Sequence, residues 1–303
     1  MSSIFIFPGQ GSQVVGMGKD LYDNNNAARE VFDEVDSALG QKLSDLIFNG
    51  PIEELTMTTN VQPAIFATSI AMLRAFGGLP DYVKYVAGHS LGEYTALCAA
   101  GSISISDTAK LLRLRGDSMQ RAVPLGKGAM AVILGLEIDK VKDICKTAES
   151  KISSDCFNVA DVANDNAPGQ VIISGGKQTI LYAMDIAKEA GAKRAMLLPL
   201  SVPPHSRLME PVVIEMKEAL DKIDINTPAI PLISNKTTKP MTDIKEIKEA
   251  LIYQITHGVR WRETILRLPE LGIQETVEVG PGNVLTGLTK RIVPELLANK
   301  MEI

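Results

Sequence analysis

The chain has 303 residues, 45% hydrophobic and 22% charged, enough apolar mass for one large domain or a large domain carrying a smaller insert. A net charge of −5 excludes nucleic acid as the main partner, because neutralising phosphates demands a surplus of Lys and Arg. Cys98, Cys145 and Cys156 show no C-x-x-C spacing, which argues for free thiols used as small core filler and against a disulfide framework or a zinc site, so no metal and no cofactor are expected.

The first residues, Met-Ser-Ser-Ile-Phe-Ile-Phe-Pro, lack the basic region and long apolar run of a signal peptide, and no later apolar stretch is long enough to span a bilayer. The expected location is cytoplasmic, with no membrane partner. No fixed-period repeat, low-complexity tract or long like-charge run interrupts the chain.

In chain order, Ile4-Phe5-Ile6-Phe7 reads as a strand buried on both faces, as in a parallel sheet. The loop Pro8-Gly9-Gln10-Gly11-Ser12-Gln13 then lies at the carboxyl edge, where open α/β folds bind ligands. Gly9-Gln10-Gly11 is not a dinucleotide fingerprint, since Val14 stands where the third glycine belongs, and neither Gly126-Lys127 nor Gly176-Lys177 completes a Walker A pattern. Val31, Val35 and Leu39 give a helix from Ala28 to Leu39 its apolar stripe, and Pro63 suits the first turn of a helix reaching Phe76.

Tyr85-Val86-Ala87 reads as the end of a buried strand and Glu93 to Ala100 as a helix, so Gly88-His89-Ser90-Leu91-Gly92 is the sharp turn between them. Glycines two residues either side of a serine form a nucleophile elbow, which lifts the hydroxyl above the sheet edge. A tight strand-to-helix turn made for packing alone is the structural alternative. Ser106 or Asp107 is expected to cap a helix running to Arg121 that carries Arg113 and Arg115. On such a helix an arginine ordinarily faces solvent.

From Gly128 onward the pattern changes. Strands are expected at Met130 to Leu134, Cys156 to Val162, Gln170 to Ser174 and Arg194 to Leu198, with helices at Asp139 to Glu149 and Thr179 to Ala190. That βαββαβ order is ferredoxin-like. The expected fold class is α/β: a large α/β-hydrolase-like domain with a mostly parallel sheet (residues 1–127 and 199–303) and an inserted ferredoxin-like subdomain (residues 128–198). Beyond Val202-Pro203-Pro204-His205 a helix is expected from Ser206 to Ile223, a strand at Ile230 to Ser234, helices at Asp243 to Ile255 and Trp261 to Leu268, and a last strand at Thr276 to Val279. Gly280-Pro281-Gly282 is a turn, and Asn283 is placed to cap a helix ending near Ile292.

A serine hydroxyl needs a base, and only His89, His205 and His257 are available. His89 sits in the turn, with its side chain expected to point into packing, and His257-Gly258 reads as a helix C-terminus. His205, approached through two prolines, is the better candidate, although spacing alone does not bring it to Ser90.

Phe7-Pro8-Gly9-Gln10-Gly11-Ser12-Gln13, Gly88-His89-Ser90-Leu91-Gly92-Glu93-Tyr94, Leu114-Arg115-Gly116, Val202-Pro203-Pro204-His205 and Glu278-Val279-Gly280-Pro281-Gly282 stand in one order along the chain. In this the sequence resembles the malonyl-CoA:acyl carrier protein transacylase family over essentially its whole length. The resemblance implies that Ser90 is the acylated nucleophile and His205 its base. It also implies that the amides of Gln10 and Leu91 form the oxyanion hole and that Arg115 grips the malonyl carboxylate. Gln254 matches the glutamine near the carbonyl that supports the histidine, although His257-Gly258 departs from the more usual Asn-Pro. Malonyl-CoA and an acyl carrier protein are the implied partners, with malonyl supply to fatty acid biosynthesis the implied role. Lys290, Arg291, Arg260 and Arg262 are candidates for docking an acidic carrier. A serine hydrolase, such as a thioesterase or lipid acylhydrolase, is the alternative, and a non-catalytic docking module the other.

Overall fold

The structure is a computed structural model and describes residues 2–152, 157–200 and 202–302. The Cys156 thiol and the Cys156 end of the second ferredoxin-like strand lie outside the described residues, while Cys98 and Cys145 are free thiols. Among the described residues ten strands form two sheets.

The larger sheet joins β1 (Ser3–Phe7), β2 (Val83–Gly88), β7 (Leu232–Ile233), β8 (Pro240–Met241), β9 (Glu275–Glu278) and β10 (Leu297–Lys300) in the order β10-β9-β1-β2-β7-β8. Every pairing is parallel except β7 with β8. β1 lies at the centre because every residue of it is apolar or small. Phe5 and Phe7 pack into the core shared with Ile65, Phe66 and Leu112, whereas Ile4 and Ile6 face the opposite core with Trp261 and Ile265. The period of two is thus buried on both faces, as the continuous run predicts.

The smaller sheet joins β3 (Gly128–Leu134), β4 (Ala160–Ala167), β5 (Gln170–Gly176) and β6 (Arg194–Leu197) in the order β4-β5-β3-β6, all antiparallel. Helices Ile138–Lys151 and Lys177–Glu189 cover one face through Ile144, Ile180 and Met184. The other face carries Met130, Val132, Ala163 and Ile172, joined by Leu198 and Leu200. β4 is also tied to the larger part of the chain: Asp165 N–H donates to Val259 O (3.0 Å), Val259 N–H to Ala163 O (2.9 Å), and Arg262 pairs with Asp165 at 2.8 Å.

Several local expectations shift. β4 runs from Ala160, so the described residues 157–159 of the expected strand precede it. The helix containing Pro63 begins at Thr58, so Pro63 falls beyond the first turn expected for it. Ser104, not Ser106 or Asp107, caps the helix Ile105–Ala122, its hydroxyl accepting from Asp107 N–H at 3.0 Å. The side chain of Asn283 makes no capping bond to the helix Val284–Ile292. Buried Glu278, at the end of β9, accepts instead from the Leu285 and Thr286 amides at 3.1 and 2.7 Å, placing a carboxylate at the positive end of that helix. The expected helix from Ser206 is a short 3-10 turn (Arg207–Met209) followed by a helix at Glu210–Lys222. β8 and β10 carry no alternating pattern and had no sequence signal.

The joint that positions the turn after β2 lies between that turn and β1. Phe7 pairs with Gly88, and His89 N–H continues the ladder to Phe7 O at 2.9 Å. A Cβ on Gly92 would lie 2.3 Å from Phe7 O, and one on Gly88 1.9 Å from Gly92 O, so any side chain there forces the strand and the turn apart. Gly92→Ala is therefore expected to cost about 1–3 kcal/mol of stability and to suppress labelling of Ser90 by a serine-directed fluorophosphonate. A thermal unfolding scan and a labelling time course check both.

Candidate active site

The turn that follows from those close approaches holds Ser90 at φ 55°, a left-handed conformation that costs a non-glycine residue roughly 1–2 kcal/mol. Asn235 and Gln254 hold it there. Ser90 N–H donates to Asn235 Oδ1 at 3.1 Å, and Ser90 O accepts from Gln254 Nε2 at 3.0 Å. With its backbone clamped on both sides, the hydroxyl projects into a cleft rather than into the helix that follows.

His205 comes from the loop before the 3-10 turn, also at positive φ (59°). It is anchored by its own N–H to Ile255 O at 3.2 Å, and only 3% of its surface is exposed. Nδ1 lies 2.7 Å from Gln254 O and Nε2 2.7 Å from Ser90 Oγ. A carbonyl oxygen only accepts, so Nδ1 carries the proton and Nε2 is free to accept from the serine hydroxyl. Burial first, and the Arg115 charge second, push the imidazole down to about 3, against the supporting bond to Gln254. His205 is therefore neutral at physiological pH, as a base must be.

Arg115 departs from its composition-based expectation: it is 2% exposed, not solvated. The reason lies one residue on, where a Cβ on Gly116 would lie 2.5 Å from Thr58 O. The missing side chain lets the helix Thr58–Phe76 press against the helix Ile105–Ala122, bringing Gln62 to Arg115. Nη1 donates to Gln62 Oε1 at 2.6 Å, and Nη2 donates to Gln254 Oε1 at 2.9 Å and to Ser90 Oγ at 3.1 Å. The guanidinium also lies 5.7 Å from the Tyr94 ring. All of these partners are neutral, and the buried Nε has none. The nearby carboxyl, Glu93, is fully buried, and burial pushes it up to about 8. The site thus holds a buried cation with spare donors beside a serine hydroxyl.

One cleft, with a volume of about 130 Å³, is lined by Ser90, His205, Arg115, Gln10, Leu91 and Gln62. Among the described residues, neither the Gln10 nor the Leu91 amide donates to a protein acceptor. The smaller sheet supplies the opposite wall through Met130, Asn164, Asn166 and Ile172. His89 packs against Trp261 with ring centroids 5.5 Å apart and bonds Asn166 through Nε2 at 2.8 Å, so its ring is engaged in packing at the cleft margin. His257 ends the helix Ile244–Thr256, stacked on Tyr253 at 3.7 Å. Among the described residues no group of three or more His, Cys, Asp or Glu could hold a metal ion.

Sequence reasoning missed Gln62, Glu93, Asn235, Asn164 and Asn166. Glu93 alone left a trace, as an acid inside an otherwise apolar and small helix; the others are ordinary polar residues whose meeting is tertiary. Of the docking candidates, Arg262 is engaged with Asp165 and Arg260 with Glu263. Arg291 bonds Gln170 and remains exposed, as does Lys290.

Residues 4–300 match the model of the acyl transferase domain family. The malonyl CoA-acyl carrier protein transacylase of Bacillus subtilis (strain 168) is 48% identical over 296 residues, covering 96% of this chain and 91% of that protein. The Escherichia coli (strain K12) protein of that name is 42% identical over 300 residues, covering 98% and 94%. An acyl-carrier-protein-S-malonyltransferase from Bartonella henselae superposes with a TM-score of 0.93 at 46% identity, over 99% of this chain and 95% of that one. A malonyl-transacylase solved in complex with its type II PKS acyl-carrier protein also gives 0.93, at 40% identity, over 100% and 96%. An elbow serine, a neutral histidine and a buried arginine in one cleft, together with this likeness over nearly the full length, make the chain a member of the malonyl CoA-acyl carrier protein transacylase family.

Proposed function

We propose that this chain transfers a malonyl group from malonyl-CoA to the phosphopantetheine thiol of an acyl carrier protein through a malonyl-Ser90 ester. The observation that carries the reading is Arg115, a buried guanidinium 3.1 Å from Ser90 Oγ with only neutral partners. In the first half-reaction His205 Nε2 takes the Ser90 proton as Oγ attacks the thioester carbonyl. The amides of Gln10 and Leu91 hold the oxyanion, and collapse expels the CoA thiolate, which takes the proton back from His205. In the second, the carrier thiol gives its proton to His205 and attacks the ester, and Ser90 leaves with that proton restored. Gln254 O supports the Nδ1–H throughout. Residues 128–198 act as a subdomain whose sheet closes the cleft over the catalytic body formed by residues 1–127 and 199–303.

Arg115 contributes more than affinity. Both Nη2 hydrogens are engaged, one by Ser90 Oγ and one by Gln254, and each two-point face of a guanidinium includes Nη2, so a carboxylate gripped bidentately on the Ser90 side takes Nη2 from Ser90 and frees the oxygen lone pair needed for attack. It also offsets the charge that holds His205 down, which makes the imidazole a better base when a malonyl group is bound. An acetyl group does neither. A hydrolase of neutral acyl esters gains nothing from this arrangement, so the alternative is not favoured. No helix among the described residues is long and apolar enough to cross a membrane, and a cytoplasmic location completes the proposal.

Three outcomes are expected. Arg115→Ala lowers malonyl transfer by about 2–5 kcal/mol in kcat/KM and shifts relative preference toward acetyl-CoA; an unchanged ratio of the two substrates removes the arginine from the mechanism. Ser90 acylation by malonyl-CoA in the absence of carrier, followed by rapid-quench mass spectrometry, accumulates a stable adduct. Its kcat/KM shows no inflection near the ~6.5 of an ordinary histidine, declining only toward the lower value that burial imposes on His205. Reversing the charges of Lys290 and Arg291 slows transfer to the carrier in a salt-dependent way while leaving self-acylation from CoA intact; equal effects on both halves place docking elsewhere.

A further inference from the structure

Glu93 is not among the residues lining the cleft, yet the site-forming segments meet at its carboxyl. Oε1 accepts from Asn235 N–H at 2.6 Å, and Oε2 accepts from Gln254 Nε2. Each partner passes the contact on. Gln254 presents its Oε1 to Arg115 Nη2 at 2.9 Å. Asn235 presents Oδ1 to Ser90 N–H at 3.1 Å and donates from Nδ2 to Gly88 O at 2.8 Å. Two hydrogen bonds therefore separate Glu93 from the guanidinium, and two separate it from the nucleophile's amide.

The polarity of that chain runs in one direction. A carboxyl retains acceptor capacity on both oxygens, whereas a carboxamide accepts on one side and only donates on the other. With a carboxyl at position 93, Gln254 turns its NH2 toward Glu93 and Ser90 O and its oxygen toward Arg115. With a carboxamide there, one side sets a donor against a donor, either at Asn235 N–H or at Gln254 Nε2. Gln254 relieves the second case by turning over, which sets its NH2 against the guanidinium. Glu93, Asn235 and Gln254 are 0, 1 and 2% exposed, so water does not replace the lost partner among them and the mismatch passes to Arg115.

We propose that Glu93 is a positioning residue for acyl selectivity: its two carboxyl oxygens orient the Gln254 amide, and that amide aims Arg115 at the carboxylate of the acyl group. The proposal rests on the reading of Arg115 as the carboxylate ligand and adds the residue that sets its direction.

Rates of self-acylation by malonyl-CoA and acetyl-CoA, each normalised to acylatable serine, test this in the wild-type chain, Glu93→Gln and Glu93→Asp. Glu93→Gln is expected to lower the malonyl-to-acetyl ratio by roughly tenfold or more, chiefly through a higher KM for malonyl-CoA. Glu93→Asp keeps both acceptors and is expected to recover part of the ratio. An unchanged ratio in Glu93→Gln, a parallel fall of both rates, or a Glu93→Asp ratio as low as that of Glu93→Gln overturns the proposal. So does failure of both variants to fold, which assigns Glu93 to stability alone. A wild-type chain without malonyl preference is a separate result, striking at the reading of Arg115 itself.

Discussion

A guanidinium taken out of water with no carboxylate in hydrogen-bond contact with it is the constraint on which this structure depends. Leaving a buried charge uncompensated costs several kcal/mol, and the fold offsets that cost with Gln62, Gln254, Ser90 and the face of Tyr94. Those partners hold Arg115 in place without neutralising it. The charge stays available to an entering anion, and until one arrives it keeps His205 a weak base and occupies a lone pair of Ser90. On the proposed role of Arg115, the ground state is thus held slightly unreactive by the group that would recognise the substrate, and a bound carboxylate would relieve both effects.

The framework around that charge is a set of stitches between distant segments. The β1 ladder extends into the elbow through Phe7 and His89, so the Gln10 loop and the Leu91 amide are brought to one edge of the larger sheet. β4 is bonded to the segment around Val259, just beyond the helix whose end supports His205. Arg207, two residues after His205, binds Asp161 on β4 and Glu149 on the preceding helix. The two sheets are therefore locked on either side of the cleft by bonds close to His205, an arrangement that the proposed two-step transfer would use to keep the ester from water between steps.

Much of this was legible along the chain. The strand Ile4–Phe7 was readable because burial on both faces admits only apolar residues, and the turn around Ser90 because only glycine tolerates backbone at under 2.5 Å from its Cβ position. The ferredoxin-like order was readable from its alternation of elements. Edge strands β8 and β10 were not, since short edge strands need no pattern, and the cap from Glu278 was not, since it reaches its helix from a separate strand.

The sequence by itself determined which chemistry was available: one serine in a strained turn, few histidines, and an arginine beside a glycine, all expressed in local backbone requirements that neighbouring residues satisfy. Only the tertiary structure decided that Arg115 is buried rather than solvated, that Gln254 offers its carbonyl to His205 and its amide to Arg115, and that Glu93 and Asn235 stand behind them. The physical reason is that a hydrogen bond between residues 161 positions apart leaves no periodicity in either segment. Its polarity and aim exist only once both helices have packed.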